Sequence, residues 1–194
     1  MQARAWVARG TELFLAEVAK LTTDDWEQPA ALPPWRPREI VAHVHLNAEA
    51  LQRLVSWART GVENPMYPDP QRRDDDIKHL ASAPIAKLRE LVVSSARDLD
   101  TAMDKLSPQA WEHPVVTATG RNVPAREIPW MRAREVAIHA IDLGTGLGFD
   151  DLPDAFNEAL VRDIVELRLL RGEGAVLAAW LSGRADDPAL GRWI

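Results

Sequence analysis

Cysteine is absent from all 194 residues. That excludes disulfides, thiolate metal sites and a thiol nucleophile of the protein's own, so any thiol chemistry needs a thiol brought from outside. Long apolar runs are missing too, and no stretch approaches the ~20 residues of a membrane-spanning helix. The opening "MQARAWVARGTELFLAEV" carries Arg and Glu where a signal peptide needs an unbroken apolar core. A cytoplasmic chain with no membrane partner is therefore expected. Nor is there a Lys/Arg-rich block: 23 basic residues are dispersed among 29 acidic ones, for a net charge of −6. Nothing in that pattern favours a nucleic-acid partner. Clear strand patterns, internal repeats and low-complexity tracts are lacking as well.

What is present is ordinary for a globular protein, with 46% hydrophobic and 27% charged residues. The length suits one domain with a sizeable core and a small appendage. Apolar residues recur at helical spacing over residues 4–21, where Gly10 is a weak point, and over 38–60, where Gly61 stops the helix. Residues 73–81 suit a short helix and 83–106 a strong one. Residues 107–124 read as irregular or hairpin-like around Gly120. Pro124 suits the first turn of a further long helix running to about Leu143. Helices over 153–170 and 175–183 complete an all-α bundle.

One apolar segment raises a question. "EVAIHAIDL" (135–143) spaces Glu135 and His139 just over one helical turn apart, on one face. If that face is buried, both groups need partners. A satisfied buried Glu–His pair is one reading; two-thirds of a metal site is the other. Of the five histidines, His79 and His113 read as surface residues. His43 and His45 point roughly 200° apart around their helix. His43 lines up with Ile40, Asn47, Leu51 and Leu54, and is the inward one. His45 lines up with Glu49 and Gln52, which reads as a solvated face. His43, Glu135 and His139 make a two-His, one-carboxylate set that suits Zn²⁺ with an open position, although non-haem iron or nickel uses such a set too.

"GRNVPAREIPWMRAREVAIHAIDLGTG" (120–146) resembles the signature of the mycothiol-dependent maleylpyruvate isomerases. "AHVHLNAEALQRLVSWARTGVENPMY" (42–67) resembles their second-helix segment, and "AAWLSGR" followed by "RWI" resembles their C-terminus. The resemblance implies a DinB-like four-helix bundle over residues 1–150 with a shortened C-terminal helical segment over 151–194. It implies a zinc held by His43, Glu135 and His139, and a catalytic Arg184. One departure stands out: the family's strand-bearing C-terminal α/β domain is largely absent here, so weak turnover is expected.

The implied reaction, a step of gentisate degradation, turns maleylpyruvate into fumarylpyruvate. A thiolate adds to the carbon–carbon double bond, the resulting single bond rotates, and elimination restores the double bond. Mycothiol as the external thiol fits a chain without cysteine. The other partner is a small dicarboxylate substrate, and a monomer is expected. Further cations for the substrate are Arg59, Arg121 and Arg132, each as readily a surface arginine. Asn47 is a ligand-orienting residue or a buried hydrogen-bonded one. Asp142 is a possible partner for the second ring nitrogen of His139. Trp57 and Trp130 read as core. Two other functions share the scaffold: another mycothiol S-transferase, and a metal-binding helical module without catalysis.

Overall fold

Proline and glycine set the limits of the helix on which the fold is organised. In the computed structural model, which describes residues 2–67, 69 and 73–191, α2 (Pro37–Thr60) starts with proline, where a missing N–H is harmless. The Glu39 carboxylate accepts from the Arg36 N–H at 2.9 Å and satisfies one of the first-turn donors. Gly61 ends the helix with φ of 72°, a conformation that glycine adopts without strain.

The chain divides into two compact units, Met1–Gly148 and Phe149–Ile194. In the first, α1 (Gln2–Lys20), α2, α4 (Ile85–Asp104) and α6 (Ile128–Asp142) are the long helices of a bundle. α1 runs along α6, and α2 packs against α4, α6 and the short α3 (Arg73–Ala81). α5 (Pro108–Trp111) leads into a two-stranded antiparallel hairpin of β1 (Pro114–Val116) and β2 (Asn122–Pro124), with Val115 opposite Val123. Phe14, Trp26, Ile40, Val44, Leu88, Val92 and Val136 pack into one core. Each such side chain contributes roughly 1.5–3 kcal/mol on burial.

Two local expectations are corrected. Pro124 closes β2 instead of opening a helix; a 3₁₀ turn over Ala125–Glu127 follows, and Pro129 occupies the first turn of α6. Gly10 is more than a weak point, because a β-carbon there would lie 2.7 Å from Val136 Cγ2. At this position α1 has no room for a side chain against α6.

The second unit holds α7 (Asp154–Leu170) and α8 (Gly174–Leu181), which place Phe156, Leu160 and Leu177 in buried positions. The architecture is all-α, a four-helix bundle with further C-terminal helices, and the hairpin is the only sheet among the described residues. Among those residues no helix is long and apolar enough to cross a membrane.

Candidate metal centre

α2 and α6 lie side by side, and the helical period does the rest. His43 projects from α2, while Glu135 and His139 project from α6 one turn apart. His43 Nε2 stands 3.0 Å from Glu135 Oε2. His139 Nε2 stands 3.4 Å from that oxygen. One ligand atom from each of the three residues fits within 4.8 Å of the other two. Nitrogen and oxygen ligands ~2.0–2.1 Å from a tetrahedral zinc would themselves be about 3.4 Å apart. His43 and His139 are buried, and the Glu135 side chain is 15% exposed. Two imidazoles and one carboxylate, close enough to share an ion, suit a divalent metal with a position left over.

Protons tie the three groups together. Burial alone would raise the Glu135 pKa, but hydrogen bonds from His139 and His43 outweigh it and hold the carboxylate well below its ordinary value. Burial would likewise lower that of His139, but Asp142 and Glu135 raise it to about 9. For His43 burial prevails over Glu135, and its pKa falls. The pattern is an ionised Glu135 between a protonated His139 and a neutral His43. A cation entering here replaces protons.

The surrounding groups orient the ligands. His139 Nδ1 donates to Asp142 Oδ2 at 2.8 Å, which aims Nε2 at the cluster. Asp142 is therefore the partner that the sequence offered. Arg73 lies 3.3 Å from His43 Nδ1, and a guanidinium only donates. The His43 proton is then on Nε2, facing Glu135. A cation held by Nε2 would need the His43 proton on Nδ1, where two donors, that N–H and Arg73, would then face each other. The Trp35 ring covers both imidazoles, with centroids 5.3 Å from His43 and 6.2 Å from His139.

Arg132 is the largest departure from the sequence reading. It is 1% exposed, not at the surface. Nη1 donates to the Val44 carbonyl and to Asn47 Oδ1, each at 2.8 Å. Asn47 thus serves a helix-to-helix tie, and the ligand-orienting reading gives way to the buried one. Burial lowers the Arg132 pKa to about 10, and Glu135 opposes that fall. Its Nη2 has no hydrogen-bond partner among the described residues.

His45 also differs from expectation. It is buried, with Nδ1 3.1 Å from the Leu91 carbonyl and Nε2 3.5 Å from Glu49. α2 is enclosed by helices on several sides, so a face that looks polar on a wheel is still covered. His45 remains outside the cluster. His79, Arg59 and Arg121 are exposed and His113 is half-buried. Trp57 and Trp130 are half-buried too, Trp130 edge-on to Trp6 at 5.6 Å. Arg184 belongs to the second unit; it is exposed and donates to the Ser182 carbonyl. Trp35 and Arg73 were not singled out from sequence. Trp35 sits in the proline-rich "LPPWRP", whose irregularity carries no period to read.

Residues 7–144 match the family described as "Mycothiol maleylpyruvate isomerase N-terminal domain". The chain belongs to that family. It is similar to a crystal structure of the mycothiol-dependent maleylpyruvate isomerase, with a TM-score of 0.82 and 37% identity over 84% of this chain and 68% of that one. A histidine-to-alanine mutant of the isomerase gives the same TM-score and coverage at 36% identity. No curated protein matches the chain. These neighbours carry the DinB-like maleylpyruvate isomerase fold, as the sequence motifs led one to expect.

Proposed function

We propose that this protein is a mycothiol-dependent maleylpyruvate isomerase in which His43, Glu135 and His139 hold one divalent metal, zinc by the nature of the donors. Residues 1–150 are the metal-binding domain in this reading, and 151–194 a shortened helical segment. The observation that carries it is the convergence of three ligand atoms, from two helices, within 4.8 Å of one another. When bound, zinc supplies Lewis acidity that favours the thiolate of mycothiol at neutral pH.

The chain's own groups have separate tasks. Glu135 brings negative charge into a covered site, and the two imidazoles bring neutral nitrogen donors. Asp142 fixes the His139 tautomer by accepting from Nδ1. Trp35 lays an apolar wall against both imidazoles, which limits water around a charged sulfur. Arg184, matched to the family's C-terminal motif, binds a carboxylate of the substrate through its planar donors. The isomerisation itself needs no net change of atoms: sulfur adds to the double bond, the carbon–carbon bond rotates, and the same sulfur leaves.

Metal analysis of the purified protein, joined to an absorbance assay on maleylpyruvate with and without mycothiol, tests the proposal. The expected result is about one zinc per chain and turnover only with the thiol. Thiol transfer to other electrophiles without isomerisation would assign the chain to another mycothiol S-transferase. Zinc without any thiol-dependent turnover would leave a metal-binding module.

A further inference from the structure

A buried arginine beside a metal-ligand cluster does more than tie two helices. We propose that Arg132 is a positioning residue whose fixed charge makes the metal-loaded cluster select an anionic fourth ligand over a neutral one. The inference rests on the metal reading above and goes beyond it, because it assigns the preference for thiolate to a residue that is not a ligand.

The argument is a count of charges in a covered place. Arg132 lies one turn before Glu135 on α6, and the two interact electrostatically. Glu135 and Asp142 each bring one negative charge, and Asp142 is hydrogen-bonded to His139. A divalent cation with both imidazoles neutral cancels those two carboxylates. Arg132 then leaves the cluster with one positive charge in excess. A thiolate brings the sum to zero, whereas a neutral thiol leaves the excess standing. Without Arg132 the loaded cluster begins neutral, and a thiolate buries an uncompensated negative charge. In a site shielded from water that difference is large.

Other charges near the cluster do not replace this one. Arg73 stands against His43, but its side chain is 37% exposed and is paired with Asp74 at 3.1 Å, so solvent screens it. Arg132 is 1% exposed and, among the described residues, has no carboxylate among its hydrogen-bond partners. Its unpartnered Nη2 agrees with a guanidinium kept for its charge as well as for its bonds.

The test uses the cobalt-substituted protein, whose visible spectrum reports the fourth ligand without any turnover. Azide serves as the anionic probe and imidazole as the neutral one. Arg132→Met and Arg132→Gln remove the charge, the second keeping a hydrogen-bonding side chain. Arg132→Lys keeps the charge, and Asn47→Ala loosens the helix tie while leaving the charge in place. Azide affinity is expected to fall on the order of tenfold in the two uncharged variants, with imidazole affinity unchanged. Arg132→Lys and Asn47→Ala should both stay near wild type for both probes. Equal loss of azide in Asn47→Ala and Arg132→Met would overturn the proposal in favour of a merely structural tie. So would failure of both uncharged variants to fold with cobalt bound. Absence of a cobalt spectrum from the wild type would instead sink the metal centre itself.

Discussion

The two units of the chain differ in how many polar groups they bury. In Met1–Gly148, Glu17, His43, His45, Asn47, Arg132 and His139 are all buried polar groups; in Phe149–Ile194, Arg168 is the one found among the described residues. The second unit instead exposes Leu169, Leu170, Trp180 and Leu181. Burying a polar group is unfavourable unless its partners are built around it. The first unit does so repeatedly, with partners for His43, His45, Asn47 and His139 and one Arg132 nitrogen left without any among the described residues. After Gly148 the one such group among the described residues is Arg168, which donates to Glu173 at 2.9 Å and to the Gly191 carbonyl at 2.6 Å, and Arg184, the residue there with a proposed role, touches its own Ser182 carbonyl.

The sharpest way to break this contrast is to remove a ligand from the first unit. His139→Ala or His43→Ala should reduce bound zinc and mycothiol-dependent isomerisation to background, while far-ultraviolet circular dichroism keeps its helical form. Each variant also takes a donor from the covered Glu135 carboxylate, so stability should fall by about 1–3 kcal/mol. A variant that retains zinc in full would remove that histidine from the site.

Next comes the packing that holds the ligands in register. Gly10→Ala places a methyl group against Val136, next to Glu135 in sequence. Overpacking of this kind costs about 1–3 kcal/mol, which a denaturant titration reads directly. Zinc content should persist. A more stable Gly10→Ala protein would mean that the higher helix propensity of alanine outweighs the contact.

In the second unit the expected effect is smaller and falls on a different quantity. Arg184→Ala should lower kcat/KM for maleylpyruvate about tenfold, the size of one charge-assisted hydrogen bond, with zinc content and fold unchanged. An unaltered kcat/KM would leave the second unit without a part in substrate binding.

Much of this was legible beforehand, for reasons that particular residues make plain. Glu135 and His139 share a helix, so their mutual geometry follows from the period alone, and Asp142 one turn later follows in the same way. His43 required a decision between two faces of α2, and its alignment with Ile40, Leu51 and Leu54 supplied it. His45 was misread because a helical wheel assumes a single covered face, while α2 is enclosed on several. Arg132 was misread because its partners, the Val44 carbonyl and Asn47, are remote in sequence; a backbone acceptor leaves no trace in a pattern of side chains. Trp35 and Arg73 reach the cluster from a loop and a short helix, where spacing predicts no direction.

The last test opposes the protonated cluster to the metal-loaded one. His139 has an ordinary pKa of 6.5 and is raised to about 9 in the folded protein. A raised histidine contributes stability that is fully present below 6.5 and is lost as pH climbs through about 9. Glu135, held low, contributes above its ordinary value of 4.5 and loses that only as pH falls through its lower folded value. The lowered His43 acts below 6.5, where keeping it neutral becomes costly. Between 6.5 and 9, then, His139 alone sets the slope contributed by the cluster, and the Tm of chelator-treated protein should fall as pH rises. Zinc reverses this, because it competes with the His139 proton: affinity should strengthen by up to about tenfold per pH unit toward 9, and binding to the folded state stabilises accordingly. The gap in Tm between zinc-loaded and chelated protein should therefore widen across that window and close in His139→Ala. Two parallel curves for the wild type would show that proton and metal do not share the site.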